Sequence, residues 1–372
     1  MKKIGYIFFA VIFNLCRILP IQKWKIVLFN GHNHGLNGNL LEIQQALERK
    51  QDKFRFVFFA KKDMFSGGIA GKIKGAFRFF IVLPYHMATA AYIFLNDNFL
   101  PLGYCFPSHR TKIVQLWHGA GAFKKFGLST EGNEKVRHQV IRANSRITHL
   151  FVTSKQVVPY YQEAFAIPES RIFADGIPVT DIYFNEEKKE KARERFYKKY
   201  PELEGKKILL YTPTFRRSPQ ENAELPGHFP VQKIHEILGE SWVILIKMHP
   251  KYPVDHITEN SFCYNMTNYS QVTDLYFVTD LLVTDYSSTI VEYTLLDKPI
   301  VLYAYDLKKY DRGFYRDYEA TVPGPVAHNE EEFLEILAKD TKEIQKRQTF
   351  AKLQYDYIDS LSTQRILSVL GL

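Results

Sequence analysis

Cysteine is scarce in this chain of 372 residues, with Cys16, Cys105 and Cys263 far apart and no C-x-x-C pair. An odd, scattered set argues against both a disulfide framework and a zinc site, and fits a reducing compartment. Long apolar runs are missing too. The one from Ile4 to Phe13 is broken by Asn14 and Arg17, well short of the roughly 20 residues a membrane-spanning helix needs. There is no G-x-G-x-x-G and no Walker lysine pattern, so nicotinamide chemistry and ATP hydrolysis lose their main support. No short repeat, low-complexity tract or nucleic-acid motif is evident. No pair of carboxylates has an evident metal spacing. Asp274, Asp280 and Asp285 leave a divalent metal open, and no cofactor is required.

What is present is globular in balance: 46% hydrophobic and 24% charged, enough in 372 residues for two cores. Aromatics reach 15%, and 49 basic against 40 acidic residues give a net charge of +9. That excess suits an anionic partner, with nucleic acid, phospholipid and nucleotide phosphates equally compatible at this level.

The N-terminus, residues 1–24, reads as a helix lying on a membrane surface. Ile4, Ile7, Phe8, Val11, Leu15 and Ile18 share one helical face, while Lys2, Lys3, Arg17, Lys23 and Lys25 could meet anionic head groups. The competing reading is an ordinary first helix docked on the protein. A cleaved signal peptide lacks a small-x-small cleavage site here.

Short β-rich runs, each followed by a helical stretch, recur through the rest. They are expected at 25–30, 54–60, 92–96, 112–117, 149–153 and 171–174, and again at 207–212, 242–248, 281–284 and 299–304. Being continuously apolar rather than alternating, they suit parallel strands covered on both faces. The expected class is α/β, with two Rossmann-like domains, 25–185 and 186–372, facing each other across a cleft. The charge-dense segment 185–204 would be a solvated helix at the junction.

In open parallel sheets, ligands bind beyond the carboxyl ends of the strands, which selects the candidate residues. Ser287-Ser288-Thr289 precedes an apolar helix with Glu292 three residues after Thr289. That spells a capping box, a phosphate-binding helix start, or both. His118, followed by Gly119 and Gly121, is either a hydrogen-bonded turn residue or a general base. Lys124 and Lys125 add a basic rim. Arg216, Lys247 and His249 each end a second-half strand; singly they read as solvated, together they could surround a diphosphate. Asp97-Asn98 follows a strand too, where Asx residues usually form turns.

Taken in order, these motifs resemble the CDP-glycerol glycerophosphotransferase family of wall teichoic acid synthesis. The resemblance is carried by Asp97-Asn98-Phe99, Gln115-Leu116-Trp117-His118-Gly119, Phe123-Lys124-Lys125-Phe126-Gly127, Gly176-Ile177-Pro178-Val179-Thr180-Asp181 and Tyr211-Thr212-Pro213-Thr214-Phe215-Arg216. Lys247-Met248-His249-Pro250, Thr284-Asp285-Tyr286-Ser287-Ser288, Glu292, Lys298-Pro299-Ile300 and Tyr305-Asp306 complete it. It implies a GT-B fold acting at the inner membrane face, peripherally. The implied reaction takes glycerol phosphate from CDP-glycerol to a polyprenyl-diphosphate-linked disaccharide and releases CMP.

By the same resemblance His118 aligns with the proposed catalytic base; Asp97, from its place after a strand, is the second catalytic candidate. The resemblance implies Arg216, His249, Ser287 and Ser288 around the donor diphosphate and Glu292 at the nucleotide ribose. Lys247 and Thr289 are expected with the diphosphate, Thr214 with the nucleotide, and Asn98, Gly119, Lys124 and Lys125 on the acceptor side. The short chain and the Phe123 to Leu128 stretch look more like the primase than the polymerase. Gly121-Ala122 and Val291 depart from the usual pattern. A glycerol- or ribitol-phosphate polymerase and a sugar-nucleotide GT-B glycosyltransferase are the alternatives, homo-oligomers are compatible, and nucleic acid is not expected as a partner.

Overall fold

Among the described residues, two sheets of six strands each, both wholly parallel, organise the chain. This is a computed structural model that describes residues 2–31, 34–50, 53–65, 67–216, 228–248, 257, 259–310, 312–339 and 343–372. The first sheet holds β1 (Gln22–Asn30), β2 (Arg55–Ala60), β3 (Ala90–Leu95), β4 (Lys112–Gln115), β5 (His149–Phe151) and β6 (Ile172–Phe173), in the spatial order β2-β1-β3-β4-β5-β6. The second holds β7 (Lys207–Thr212), β8 (Trp242–Ile246), β9 (Cys263–Asn265), β10 (Leu281–Thr284), β11 (Ile300–Tyr303) and β12 (Val326–Ala327), ordered β12-β11-β10-β7-β8-β9.

Burial explains the unbroken apolar runs. Residues Ile26 to Asn30 of β1, Ile208 to Thr212 of β7 and all of β10 are buried, as parallel strands between helical layers must be. All ten expected strands form. The two extra ones, β9 and β12, are edge strands of three and two residues.

Each sheet reverses its winding once. In the first, the chain moves outward from β1 to β2 and then returns to the far side of β1 as β3. In the second, it runs β7-β8-β9 and then resumes as β10 beside β7. The crevices at the carboxyl ends of β1/β3 and β7/β10 are the switch points where such sheets bind ligands.

The chain divides into two compact units, Met1–Asp181 together with Gln354–Leu372, and Ile182–Leu353. The C-terminal tail therefore belongs with the first unit, unlike the sequence-based division into 25–185 and 186–372. The reason is local. Both carboxylate oxygens of Asp181 accept the N–H groups of Ser362 and Thr363, each at 2.9 Å, capping the helix Ser362–Leu370. Ile366, Leu367 and Leu370 of that helix join the core formed by Leu28, Phe94 and Val114. Gly176 makes the approach possible. Its φ is +93°, and a Cβ there would lie 2.3 Å from Ser362 Oγ.

The N-terminal helix is Lys2–Cys16. It docks through Phe9, Ala10 and Phe13, all buried, and Phe9 packs its ring on Phe79 and Phe99. Ile4, Ile7, Phe8, Val11 and Leu15 lie on the opposite side and are exposed, Ile4 by 72%. The helix is thus apolar on both sides, and the charged face of an amphipathic surface helix is not seen. Its support is a helical run over 69–88 that contains a π turn, Arg78–Val82. Among the described residues, no helix is long and apolar enough to cross a membrane. The helix Glu186–Lys199 is capped by Asn185, whose side chain accepts from the Lys188 N–H, and buries Ala192 and Phe196 against the second unit.

Candidate active site

In the first unit the ends of β1, β3 and β4 converge on Asp97. This carboxylate is 2% exposed; Oδ1 faces His118 Nδ1 at 3.1 Å, and Oδ2 accepts the Gly31 N–H at 3.0 Å. Gln115 ties β3 to β4 from below. It donates to the Asp97 carbonyl at 3.1 Å and accepts the Trp117 N–H at 2.9 Å. Trp117 has a φ of +58°, a left-handed backbone that an aromatic residue adopts only when its surroundings force it. That turn lifts His118 out of the sheet so that its side chain is half exposed while its partner stays buried. The Trp117 ring lies 4.1 Å from the imidazole and stacks on Phe126.

An Nδ1–H donated to a buried carboxylate leaves the lone pair on Nε2. This is the tautomer of an oriented general base. The following turn is fixed: Tyr161 donates to the carbonyls of Gly119 and Gly121, and the Gly121 N–H donates to Thr153. Open space lies where a Cβ on Gly119 would project. Lys124 and Lys125 are half-buried on the continuing loop. Asn96 and Asn98 flank Asp97, each with a buried Oδ1 lacking a hydrogen-bond partner among the described residues.

In the second unit the corresponding crevice is lined by the residues after β7 and β10. Asp285, fully buried, accepts the N–H groups of Thr214 and Tyr286. Arg216 then joins the two loops. Its Nε and Nη2 reach Asp306 at 2.8 and 2.9 Å, Nη1 meets Asp285 at 2.9 Å and donates to the Thr214 carbonyl, and Nη2 also donates to Tyr305 Oη. Burial would lower its pKa, but Asp285 and Asp306 outweigh that and raise it. All five N–H donors are thus engaged within the protein, which corrects the expectation that Arg216 grips the donor diphosphate directly. It holds the crevice together instead. Tyr286 donates to Asp306 as well, and the Tyr286 phenol is pushed up by burial and that carboxylate.

Lys247 is likewise turned inward, donating to the carbonyls of Thr267 and Tyr269 at 2.7 Å each. Desolvation lowers its pKa. A lysine anchored this way positions the β8 end, with two of its three N–H donors engaged within the protein. His249 lies outside the described residues.

The capping box at Thr289 and Glu292 does not form. Ser288 is the exposed N-cap residue with no side-chain cap, while Ser287 Oγ accepts the Thr289 N–H and pairs with Thr289 Oγ1. The helix is only Thr289–Tyr293. Glu292 turns instead to Tyr183, which donates to it at 3.1 Å, and burial raises its carboxyl pKa. The aspartates kept open for a metal go separate ways. Asp274 pairs with Arg195, Asp280 accepts the Ile208 N–H, and Asp285 pairs with Arg216. Among the described residues no three His, Cys, Asp or Glu side chains gather in a metal-binding cluster.

Residues 11–371 match the family described as CDP-glycerol:poly(glycerophosphate) glycerophosphotransferase. The chain belongs to that family. A teichoic acid poly(ribitol-phosphate) polymerase of Bacillus spizizenii is 30% identical over 99% of the chain, which spans 59% of that protein's length. A teichoic acid ribitol-phosphate primase of the same organism is 32% identical, covering 95% of the chain and 92% of the primase. Among solved structures, the wall teichoic acid polymerase TagF superposes with a TM-score of 0.75 over 94% of this chain and 89% of that one, at 21% identity. The two parallel-sheet units are therefore similar in fold to TagF, GT-B-like. Within the family frame, Gln115, Trp117 and Asp306 fall inside motifs visible in the sequence, yet their bonding roles were not. Gly31 and Tyr183 carried no signal of their own, because each acts through one contact set by the fold.

Proposed function

We propose that the protein transfers a polyol phosphate from a CDP-activated polyol to a hydroxyl of a polyprenyl-diphosphate-linked disaccharide, releasing CMP and acting as a primase. The observation that carries this reading is the Asp97–His118 pair at the carboxyl ends of β3 and β4. The acceptor oxygen attacks the polyol-bearing phosphorus as its proton passes to His118 Nε2. The bond from that phosphorus to the CMP oxygen breaks, and CMP leaves with the electron pair. Asp97 stabilises the imidazolium that forms. In the second unit, the exposed Ser288 hydroxyl and the backbone around Ser287 to Thr289 supply donors for the nucleotide phosphates. Glu292, already hydrogen-bonded by Tyr183, is suited to a ribose hydroxyl.

The family description names glycerol phosphate, and this is the first reading. Ribitol phosphate is the second, favoured by the names of the two relatives above. Incubating the protein with CDP-glycerol, CDP-ribitol and a synthetic lipid-linked disaccharide, then weighing products, decides both donor and product length. One added unit is expected, many would make it a polymerase. His118→Ala should abolish transfer and leave CDP-polyol affinity nearly intact; unchanged turnover would remove its role as base.

We further propose peripheral attachment at the cytoplasmic membrane face. Supporting it are the exposed Ile4, Ile7, Phe8, Val11 and Leu15, with Ile69, Ile73 and Phe77 on the helix Ile69–Phe77, and nearby Lys72 and Lys74.

A further inference from the structure

Beneath the N-terminal helix lies a cavity of about 120 Å³, lined by Tyr6, Phe29, Gly31, Lys61, Phe79 and the Asp97 to Pro101 segment. It sits at the β1/β3 switch point, the place where a sheet of this winding binds ligands, and shares Asp97 with the pair that includes His118. Its chemistry is mixed in a specific way. Phe29, Phe79 and Phe99 are aromatic neighbours, Phe29 and Phe99 only 4.6 Å apart between ring centres. Against them stand the Asp97 carboxylate, the exposed Lys61 and Asn98, whose buried Oδ1 has no hydrogen-bond partner among the described residues.

A buried oxygen left without a donor carries a desolvation penalty that a bound hydroxyl would remove. At about 30 Å³ per water, the volume matches roughly four waters, or a three-carbon polyol, or one edge of a sugar ring. A phosphate dianion would meet the Asp97 carboxylate, and only Lys61 would offset that. Neutral hydroxyls can donate to Asn98 and accept from Lys61 while their carbon face rests on the aromatic rings.

We infer that this cavity is a subsite for the hydroxyl-bearing end of the acceptor, a polyol or sugar edge held by Asn98 and Lys61 beside Asp97. This deepens the proposed transferase reading and rests on it for the word acceptor. The N-terminal helix, through Tyr6, is then a wall of the site as well as a membrane contact. Gly31 belongs to it for a steric reason, since a Cβ there would come within 3.1 Å of Asp97.

Binding is read apart from catalysis by saturation-transfer NMR of the full chain, with glycerol and methyl N-acetylglucosaminide as probes and inorganic phosphate as a competitor, its binding read as loss of their signal. Expected is transfer to glycerol or the glycoside in wild type and in His118→Asn, reduced at least fivefold in Asn98→Leu and in Lys61→Met. Lys61 is exposed, so its variant should fold whatever becomes of Asn98→Leu. In transfer assays the same two variants should raise the acceptor KM at least tenfold and leave the CDP-polyol KM unchanged. Equal saturation transfer in wild type and both variants overturns the subsite, as does phosphate binding there in preference to the polyols. If polyols bind as expected but no transfer occurs with any CDP-polyol, the cavity stands and the transferase reading falls.

Discussion

Removing the Arg216 guanidinium tests how the second unit is held together. Five hydrogen-bonding contacts vanish in Arg216→Ala, and two carboxylates lose their cation. Asp306 keeps the Tyr286 hydroxyl and some water, being 18% exposed; Asp285 is fully buried and keeps only backbone N–H donors. Most of the penalty therefore falls on Asp285. Breaking a buried pair from one side costs about 3–5 kcal/mol, at least a fifth of the roughly 5–15 kcal/mol that stabilises a folded unit. With a urea slope near the upper end of about 1–3 kcal/mol/M, the midpoint should fall by about 1–2 M. Hydrogen exchange should place the loss in β7 and β10. Pairing Arg216→Met with Asp285→Asn should restore much of the stability, because the fully buried carboxylate is then neutral and the charge left on Asp306 keeps the Tyr286 hydroxyl and water. The reasoning fails if Arg216→Ala moves the midpoint by less than about 0.3 M while donor affinity drops tenfold or more. Arg216 would then be gripping the diphosphate and not its neighbours.

Three further outcomes follow from named contacts. Asp97→Asn should lower kcat by roughly 10²–10⁴ with little change in donor KM, since an amide can hold the imidazole in the wrong tautomer; steady-state kinetics with both substrates varied would expose an unaltered kcat as the contrary result. Gly176→Ala forces a left-handed backbone on a residue with a Cβ and drives that Cβ into Ser362, so the helix Ser362–Leu370 should lose amide protection and the melting temperature should fall. Lys25 is buried, donates to Thr89 Oγ1 at 2.6 Å, and has its pKa lowered to about 8 by desolvation and then by Arg55. Because the unfolded chain holds that proton up to 10.5, stability from this group rises between pH 8 and 10.5. Lys25→Met should remove that rise, seen as a wild-type minus variant difference in melting temperature that stays constant if the idea is wrong.

How much was legible varies with range. The strand β10 and its neighbours were visible because burial on both faces leaves unbroken apolar runs, whereas β9 and β12 were found only through the strands they join. His118 and Asp97 were found by their positions after strands, and the 3.1 Å contact between them needed the fold. Arg216 and Lys247 were identified as basic residues at strand ends, but the Asp306 carboxylate and the Thr267 carbonyl that hold them lie 90 and 20 residues away in sequence. Nothing local states whether a guanidinium points at solvent, substrate or an aspartate.

The sequence by itself determined the α/β class, the candidate residues at strand ends and the family, because local propensity, apolar continuity and short motifs act over a few residues. Only the tertiary structure decided which charges are already neutralised, that the C-terminal helix returns to the first unit, and that a hydroxyl-sized cavity opens beside Asp97. Those depend on distances between groups far apart in the chain, set when parallel strands bring their ends to one edge.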